Sequence, residues 1–118
     1  YAVMISLGFA TVENFFYVFN YAGDQETEVA IIRMFSAIPL HAACGVIMGY
    51  FVGLAKFSKE SKNYLFKGLL AAVIIHGLYN YFIFLGDASS LSFICLIIAI
   101  IYSRKAIKLH QEDSRIRN

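Results

Sequence analysis

The sequence contains little charge. Only 15% of its 118 residues are Asp, Glu, Lys or Arg, whereas 59% are hydrophobic and the mean hydropathy is +0.65. Soluble domains are about one quarter charged, so this composition excludes an ordinary soluble domain. The net charge of +2 is also too small to indicate a nucleic-acid-binding surface, and we expect no nucleic-acid partner.

Two motifs of metal and redox sites are also missing. The only cysteines, Cys44 and Cys95, lie far apart in apolar stretches and form no CxxC pair, so we interpret them as free thiols in a packed interior. No HExxH pair occurs, which excludes the usual helical motif of zinc proteases. Any metal site would therefore need ligands from separate parts of the chain.

Long apolar stretches dominate what is present. A membrane-spanning helix needs about 20 mainly apolar residues, with a lower limit of about 17. The pattern predicts an all-α fold, an integral membrane four-helix bundle with no soluble domain. Because the chain opens at Tyr1 inside the first stretch, we expect it to be a fragment of a larger polytopic membrane protein. The predicted spans are about 1–21, 34–55, 64–85 and 89–104.

Positive charge is distributed unevenly among the polar segments. The segment 22–33 is acidic and has Arg33 as its one basic residue, whereas loop 56–63 and the tail 105–118 contain several lysines and arginines. Short loops rich in Lys and Arg remain in the cytoplasm. We therefore predict that loop 56–63 and the C-terminal tail are cytoplasmic and that the acidic loop 22–33 is outside.

Five strongly polar side chains lie well inside the predicted spans, away from their ends: Glu13, Asn14, His41, His76 and Asn80. Such residues usually face the bundle interior or a wet cavity and are functional candidates. At a rise of about 1.5 Å per residue, the glutamate and both histidines lie roughly 12–15 Å below the outer surface, on three different helices. Because i and i+4 share a helix face, Asn80 lies one turn above His76. One shared polar site is the simplest interpretation.

The histidines also share their helix faces with small residues. Small residues at four-residue spacing allow neighbouring helices in lipid to approach closely. The predicted helix-packing residues are Gly45, Gly49, Gly53, Gly68 and Ala72. Pro39, two residues before His41, is expected to kink the second span. The faces that carry the histidines are therefore predicted to pack against other helices and not against lipid.

A carboxylate and two imidazoles at one buried level are compatible with several kinds of site. Glu13 could activate a water while a histidine and Asn80 stabilise the oxyanion of peptide hydrolysis. Glu13, His41 and His76 could instead bind zinc with one open position. The two histidines could also be axial haem ligands, or all these groups could simply join helices in a scaffold. Spacing alone does not choose among them.

Three motifs in order resemble a known family. The stretch GFATVENFFY matches an FxxxEN pattern with a tyrosine three residues on, PLHAACG contains HxxxG, and HGLYN is HxxxN. Across about residues 5–82 the chain resembles the PrsW-type intramembrane proteases, relatives of the type II CAAX prenyl proteases and of the APH-1 subunit of gamma-secretase. The resemblance implies a bacterial or archaeal plasma-membrane endopeptidase that cuts a membrane-anchored, anti-sigma-factor-like protein near the extracytoplasmic side.

The same resemblance implies roles for individual residues. Glu13, His41, His76 and Asn80 would be the catalytic residues, with Asn14 and Tyr17 as substrate-contacting or supporting neighbours. The family also has an EExxK motif, thought to activate the water, and no EE pair occurs in these 118 residues. We therefore expect the chain alone to be inactive.

The resemblance leaves the choice of cofactor and of function class open. We favour a glutamate-activated water without an obligatory metal, and zinc on Glu13, His41 and His76 is the alternative. A non-catalytic scaffold resembling APH-1 is the main rival function, and a haem protein with His41 and His76 as ligands is a second one.

Overall fold

A computed structural model describes residues 1–86 and 89–117, and the last residue of the predicted tail, Asn118, lies outside the described residues. The described chain is helical and contains no strand, so the predicted all-α class is confirmed. The helices are α1 (Ala2–Tyr21), α2 (Glu26–Phe35), α3 (Ala37–Lys56), α4 (Ser61–Phe84) and α5 (Ser90–Arg117), with a 3₁₀ turn, Gly23–Gln25, between α1 and α2.

Within the described residues, four helical segments are long and apolar enough to cross a membrane: 2–20, 23–56, 61–84 and 90–116. Their outward faces are covered by large apolar side chains, such as Phe15 and Phe16 of α1 and Ile97 of α5. A soluble protein would bury such a surface, whereas lipid solvates it. The protein is therefore an integral membrane protein, and the residues at which each helix enters the bilayer stay a prediction.

The outer connection differs from the prediction. The acidic segment 22–33, expected as a loop, is helical from Glu26 onward, so that expectation is wrong for most of the segment. The helix breaks at Ser36, whose backbone lies at φ −118° and ψ −62°, and α3 then begins at Ala37. Pro39 explains the break, because a proline cannot donate to the carbonyl four residues earlier, here Phe35. The kink therefore precedes the proline by three residues.

The central element is α3, against which all the other helices pack. Its buried residues Leu40 and Cys44 join Ala72 and Tyr79 of α4 and Ala99 of α5 in one core cluster. The backbones of α1 and α4 both pack on α3 and do not approach each other closely, so these two helices meet only through side chains. This arrangement leaves a groove between α1 and α4, whose floor is formed by α3.

Glycine sets the distance between α1 and α3. A β-carbon added at Gly45 would lie 2.9 Å from the β-carbon of Ser6 and 2.9 Å from the α-carbon of Val3, and one added at Gly49 would lie 3.2 Å from Ala2. At Gly45 the obstacle includes backbone, which a side-chain rotation cannot relieve.

The remaining predicted packing residues contact other helices. A β-carbon at Gly68 of α4 would lie 2.8 Å from the β-carbon of Phe51 of α3, and one at Gly53 would lie 3.6 Å from the ring of His110 in α5. Ala72 is buried in the core cluster. The predicted tail is helical as far as Arg117, because α5 continues without a break.

We expect Gly45→Ala to displace α1 from α3. The added methyl group overlaps the Val3 backbone, and such overpacking costs about 1–3 kcal/mol. The free energy of unfolding of the purified protein in detergent would measure this loss. Gly77→Ala is the matched control, because nothing lies within 4 Å of its added β-carbon. Equal stability of the two variants would contradict this account of the α1–α3 contact.

Candidate functional site

Three of the predicted residues meet at one point. Glu13 comes from α1, His41 from α3 and His76 from α4, and one ligand atom of each lies within 4.8 Å of the other two. The Nε2 atom of His41 is 2.9 Å from Oε2 of Glu13, and the Nε2 atom of His76 is 3.5 Å from Oε1. Each imidazole therefore faces a different oxygen of the same carboxylate.

The register of α1 on α3 places Glu13 at this point. The Ser6 hydroxyl donates a hydrogen bond of 2.6 Å to the backbone carbonyl of His41. Glu13 lies two helical turns after Ser6 on the same face. Between them, the Phe9 ring packs against both imidazoles, with centroid distances of 5.6 Å to His41 and 6.5 Å to His76. Close packing at Gly45 thus brings the carboxylate to the histidines.

A fourth polar residue, Arg33 of α2, contacts the cluster formed by Glu13, His41 and His76. Its Nη2 atom donates to Oε2 of Glu13 at 3.0 Å, and its Nε atom donates to Oδ1 of Asn14 at 2.6 Å. The guanidinium carbon lies 3.9 Å from the centroid of the Tyr17 ring. Only 4% of Arg33 is exposed. The buried carboxylate therefore has a buried counter-ion, as a charge in a low-dielectric interior requires.

The break between α2 and α3 is tied to α4. The Tyr79 hydroxyl donates a hydrogen bond of 2.7 Å to Oγ of Ser36, which donates at 2.7 Å to the carbonyl of Ile32. Tyr79 and Ser36 are both almost fully buried. These bonds fix the direction in which α2 leaves α3, and so they fix the position of Arg33.

Cavities flank the cluster on two sides. The groove between α1 and α4 holds a cavity of about 600 Å³, lined by Phe9, His41 and His76 together with apolar residues such as Val73. A second cavity of about 360 Å³ is lined by Arg33 and by Tyr17, Ser36 and Tyr79. Molecules in the first cavity can reach the imidazoles, whereas the second cavity adjoins the guanidinium.

The other three predicted site residues, Asn14, Tyr17 and Asn80, lie beside the cluster and are not among its three ligand residues. Asn14 and Tyr17 contact Arg33, so they act on Glu13 through the guanidinium. Asn80 follows His76 by one turn, and its buried Oδ1 atom has no hydrogen-bond partner among the described residues. Its predicted role thus rests on its shared helix face with His76.

Sequence reasoning missed Arg33 as a site residue. In the sequence, Arg33 is the single positive charge of an acidic connection, whereas the structure buries it against Glu13. One signal was available, because apolar residues surround this arginine on both sides in VAIIRMF. A solvated loop arginine rarely has such neighbours. Ser36 and Tyr79 carried no comparable signal, because serine and tyrosine are common in helices of every kind.

The donor atoms of the cluster fit a zinc ion. Catalytic zinc sites commonly have three protein ligands, histidine nitrogens and a carboxylate oxygen, with a fourth position open. Glu13, His41 and His76 supply this set from one partly buried location, with His41 the most buried of the three. The Nε2 atom of His76 is buried and has no hydrogen-bond partner in the described part of the chain. An imidazole nitrogen in that state is available as a ligand.

A haem fits the same histidines poorly. Two axial imidazoles must lie on opposite faces of a planar macrocycle. Here the ring centroids of His41 and His76 are 4.6 Å apart, so the rings are nearly in contact. No space for a porphyrin remains between them, and the haem interpretation has no support from the geometry.

Comparisons with known proteins identify a family that the sequence matches. The family model of the PrsW family intramembrane metalloprotease matches residues 1–103. The chain is 38% identical over 82 residues to protease PrsW of Shouchella clausii, covering 69% of this chain and 36% of that protein. It is 36% identical over 83 residues to protease PrsW of Bacillus subtilis, with 69% and 36% covered.

A longer match joins the chain to protease PrsW of Clostridioides difficile, at 27% identity over 114 residues, which covers 94% of this chain and 48% of that protein. The chain thus spans between about a third and a half of the length of these relatives. No solved structure matches the chain. Since the family model extends over most of the sequence and includes all three clustered residues, this chain belongs to the PrsW family of intramembrane metalloproteases.

Proposed function

We propose that this chain forms part of a membrane-embedded endopeptidase whose reactive centre is the cluster of Glu13, His41 and His76. The observation that carries the proposal is the convergence of three ligand atoms, from three separate helices, within 4.8 Å. Membership of a protease family supports hydrolysis of a peptide bond as the reaction. The proposed reaction is therefore hydrolysis of a peptide bond, and the substrate is a protein.

We further propose that the cluster binds zinc. This replaces the metal-free site that the sequence favoured, because the donor set suits zinc and the family is described as one of metalloproteases. When bound, zinc would supply Lewis-acid activation of a carbonyl and of a water molecule. The carboxylate of Glu13 and the Nε2 atoms of His41 and His76 would hold it.

The neighbouring residues prepare the cluster for this role. Arg33 balances the charge of Glu13, and the Phe9 ring covers both imidazoles. Asn80 lies on the same face of α4 as His76. Its side-chain nitrogen can donate a hydrogen bond to the carbonyl oxygen that becomes negative when a peptide bond is attacked. Its unpartnered Oδ1 can accept a hydrogen bond from the backbone of a bound peptide.

The water-activating carboxylate is proposed to come from the EExxK motif that the family resemblance implies. No EE pair occurs in these 118 residues, so the chain by itself should bind the metal without cleaving protein. The proposed substrate is a membrane-anchored protein of the anti-sigma-factor kind, in a bacterial or archaeal plasma membrane.

The proposed orientation places the cleavage near the extracytoplasmic side. Loop 56–63 and the tail after Arg104 are basic, whereas the connection that contains Asp24 and Glu26 is acidic. By the positive-inside rule the basic segments are cytoplasmic. The acidic connection joins α1 to α2, close in sequence to both Glu13 and Arg33, so the cluster would lie in the outer half of the membrane.

We expect the purified 118-residue chain in detergent to contain one zinc ion per molecule and to leave a membrane-anchored substrate intact. A longer protein that contains this chain and the EExxK motif should cleave that substrate near its extracytoplasmic side. A chelator should stop the cleavage and added zinc should restore it. Elemental analysis and mapping of the cleavage products are the measurements.

Three results would each decide against part of this proposal. Metal-free protein that still cleaves would restore the glutamate-only mechanism. Cleavage on the cytoplasmic side would reverse the orientation. A longer protein without activity or metal, but needed for assembly of a complex, would establish the scaffold function instead.

A further inference from the structure

The two oxygens of the Glu13 carboxylate have different surroundings. Oε2 receives a hydrogen bond from Nη2 of Arg33 at 3.0 Å and lies 2.9 Å from Nε2 of His41. Oε1 faces Nε2 of His76 at 3.5 Å, and that nitrogen makes no hydrogen bond with any described residue. Oε2 is thus held by two close contacts, whereas Oε1 keeps lone pairs that can bind another group.

Arg33 is itself held by the helix that carries Glu13. Its Nε atom donates to Asn14 at 2.6 Å, and its guanidinium plane lies over the Tyr17 ring at 3.9 Å. Asn14 and Tyr17 follow Glu13 by one and four residues, so a single turn of α1 provides all three contacts. The guanidinium is therefore fixed relative to the carboxylate, by two separate N–H groups and one ring face.

A charge alone would not require this geometry. A lysine at position 33 would place a compact positive charge near Glu13, but it has no planar fork that can bond a carboxylate and an amide oxygen together. A substitution at position 33 can therefore keep the charge that balances Glu13 and remove the hydrogen bonds that orient it.

We propose that Arg33 is a positioning residue, which holds Oε2 of Glu13 so that Oε1 is the oxygen presented to His76 and to a metal bound beside it. This inference rests on the proposed function, because it names the oxygen used by that site. It also assigns a role to α2, because this helix carries Arg33 to the cluster.

The test compares zinc affinities of the full 118-residue chain in detergent, measured by competition with a chromophoric chelator. Arg33→Lys keeps the charge and should weaken zinc binding about 10–100-fold, the usual cost of losing a group that orients a metal ligand. Asn14→Ala removes the partner of Nε and should weaken binding in the same direction by less. Arg104→Lys, at an exposed position of α5, should leave the affinity within twofold of the original.

Zinc affinity in Arg33→Lys and Asn14→Ala equal to that of the unchanged chain would overturn the positioning role. The helical content of each variant, measured by circular dichroism, identifies a variant that fails to fold. If Arg33→Lys fails in this way, the milder Asn14→Ala decides the question.

A metal-free measurement separates this inference from the proposed function. In the ¹⁵N spectrum of histidine-labelled chain without zinc, Arg33→Lys should shift the Nε2 resonances of both His41 and His76, because a released carboxylate changes its contact with each. Unchanged resonances would contradict the positioning role. Shifted resonances in a chain that never binds zinc would support it while overturning the proposed metal site.

Discussion

Replacing Glu13 with glutamine is expected to destabilise the protein by about 3–5 kcal/mol, the usual cost of removing one partner of a buried ion pair. The side chains of Arg33 and Glu13 are only 5% and 14% exposed, so the guanidinium would keep its charge without a counter-ion. The second change, Arg33→Met, should restore most of the stability in the Glu13→Gln protein, because replacing both charges leaves no buried charge unpaired. The free energy of unfolding in detergent measures each step.

An exposed ion pair provides the control for these Glu13 and Arg33 variants. Lys108 and Glu112 lie 4.0 Å apart on the surface of α5, with most of the lysine side chain exposed. Exposed pairs of this kind contribute little, so Lys108→Gln should leave the stability unchanged. If the double variant were as unstable as Glu13→Gln alone, Arg33 would not be the counter-ion of Glu13.

Replacement of either clustered histidine with alanine is expected to abolish stoichiometric zinc binding, with an affinity loss greater than the roughly 10–100-fold that removal of a group supporting a metal ligand costs. Each variant lacks one of the three protein ligands, and the two that remain are too few to hold zinc stably. Both imidazoles face the same carboxylate, so His41→Ala and His76→Ala should have similar effects. Zinc content after dialysis and chelator competition would measure the loss.

The third histidine is the matched control. His110 is exposed near the end of α5 and packs beside Gly53, with no place in the cluster. His110→Ala should therefore retain one zinc ion per chain. Zinc retained in His41→Ala and lost in His110→Ala would place the metal elsewhere on the molecule.

Much of the architecture follows from composition. Apolar stretches near the length of a bilayer, separated by short charged segments, predict membrane helices whatever their order in space. The helices α1, α3 and α4 lie close to the predicted ranges, because the hydrophobic pattern changes abruptly at their ends. The connection 22–33 was harder to predict, because its acidic residues suggest a solvated loop while it continues as a short helix.

The convergence of Glu13, His41 and His76 was also predictable in part. Counting residues from the helix ends gives a common depth, and small residues on the same faces indicate inward orientation. Depth does not say which side of a helix meets which neighbour. Residues at one level on three helices could still be too far apart to share an ion or a water.

By itself, then, the sequence determined the membrane location and the helical class, and it predicted a common level for the polar groups, because these depend on hydrophobicity and on the fixed rise of a helix. Only the tertiary structure decided that Arg33 is the counter-ion of Glu13 and that the two imidazoles take different oxygens of one carboxylate. Those facts depend on the direction that the break at Ser36 gives α2 relative to α3, and on the close approach of α1 to α3 at Gly45. Pro39 and Gly45 permit the break and the close approach, but contacts between helices set the direction of α2 and the register of α1 on α3.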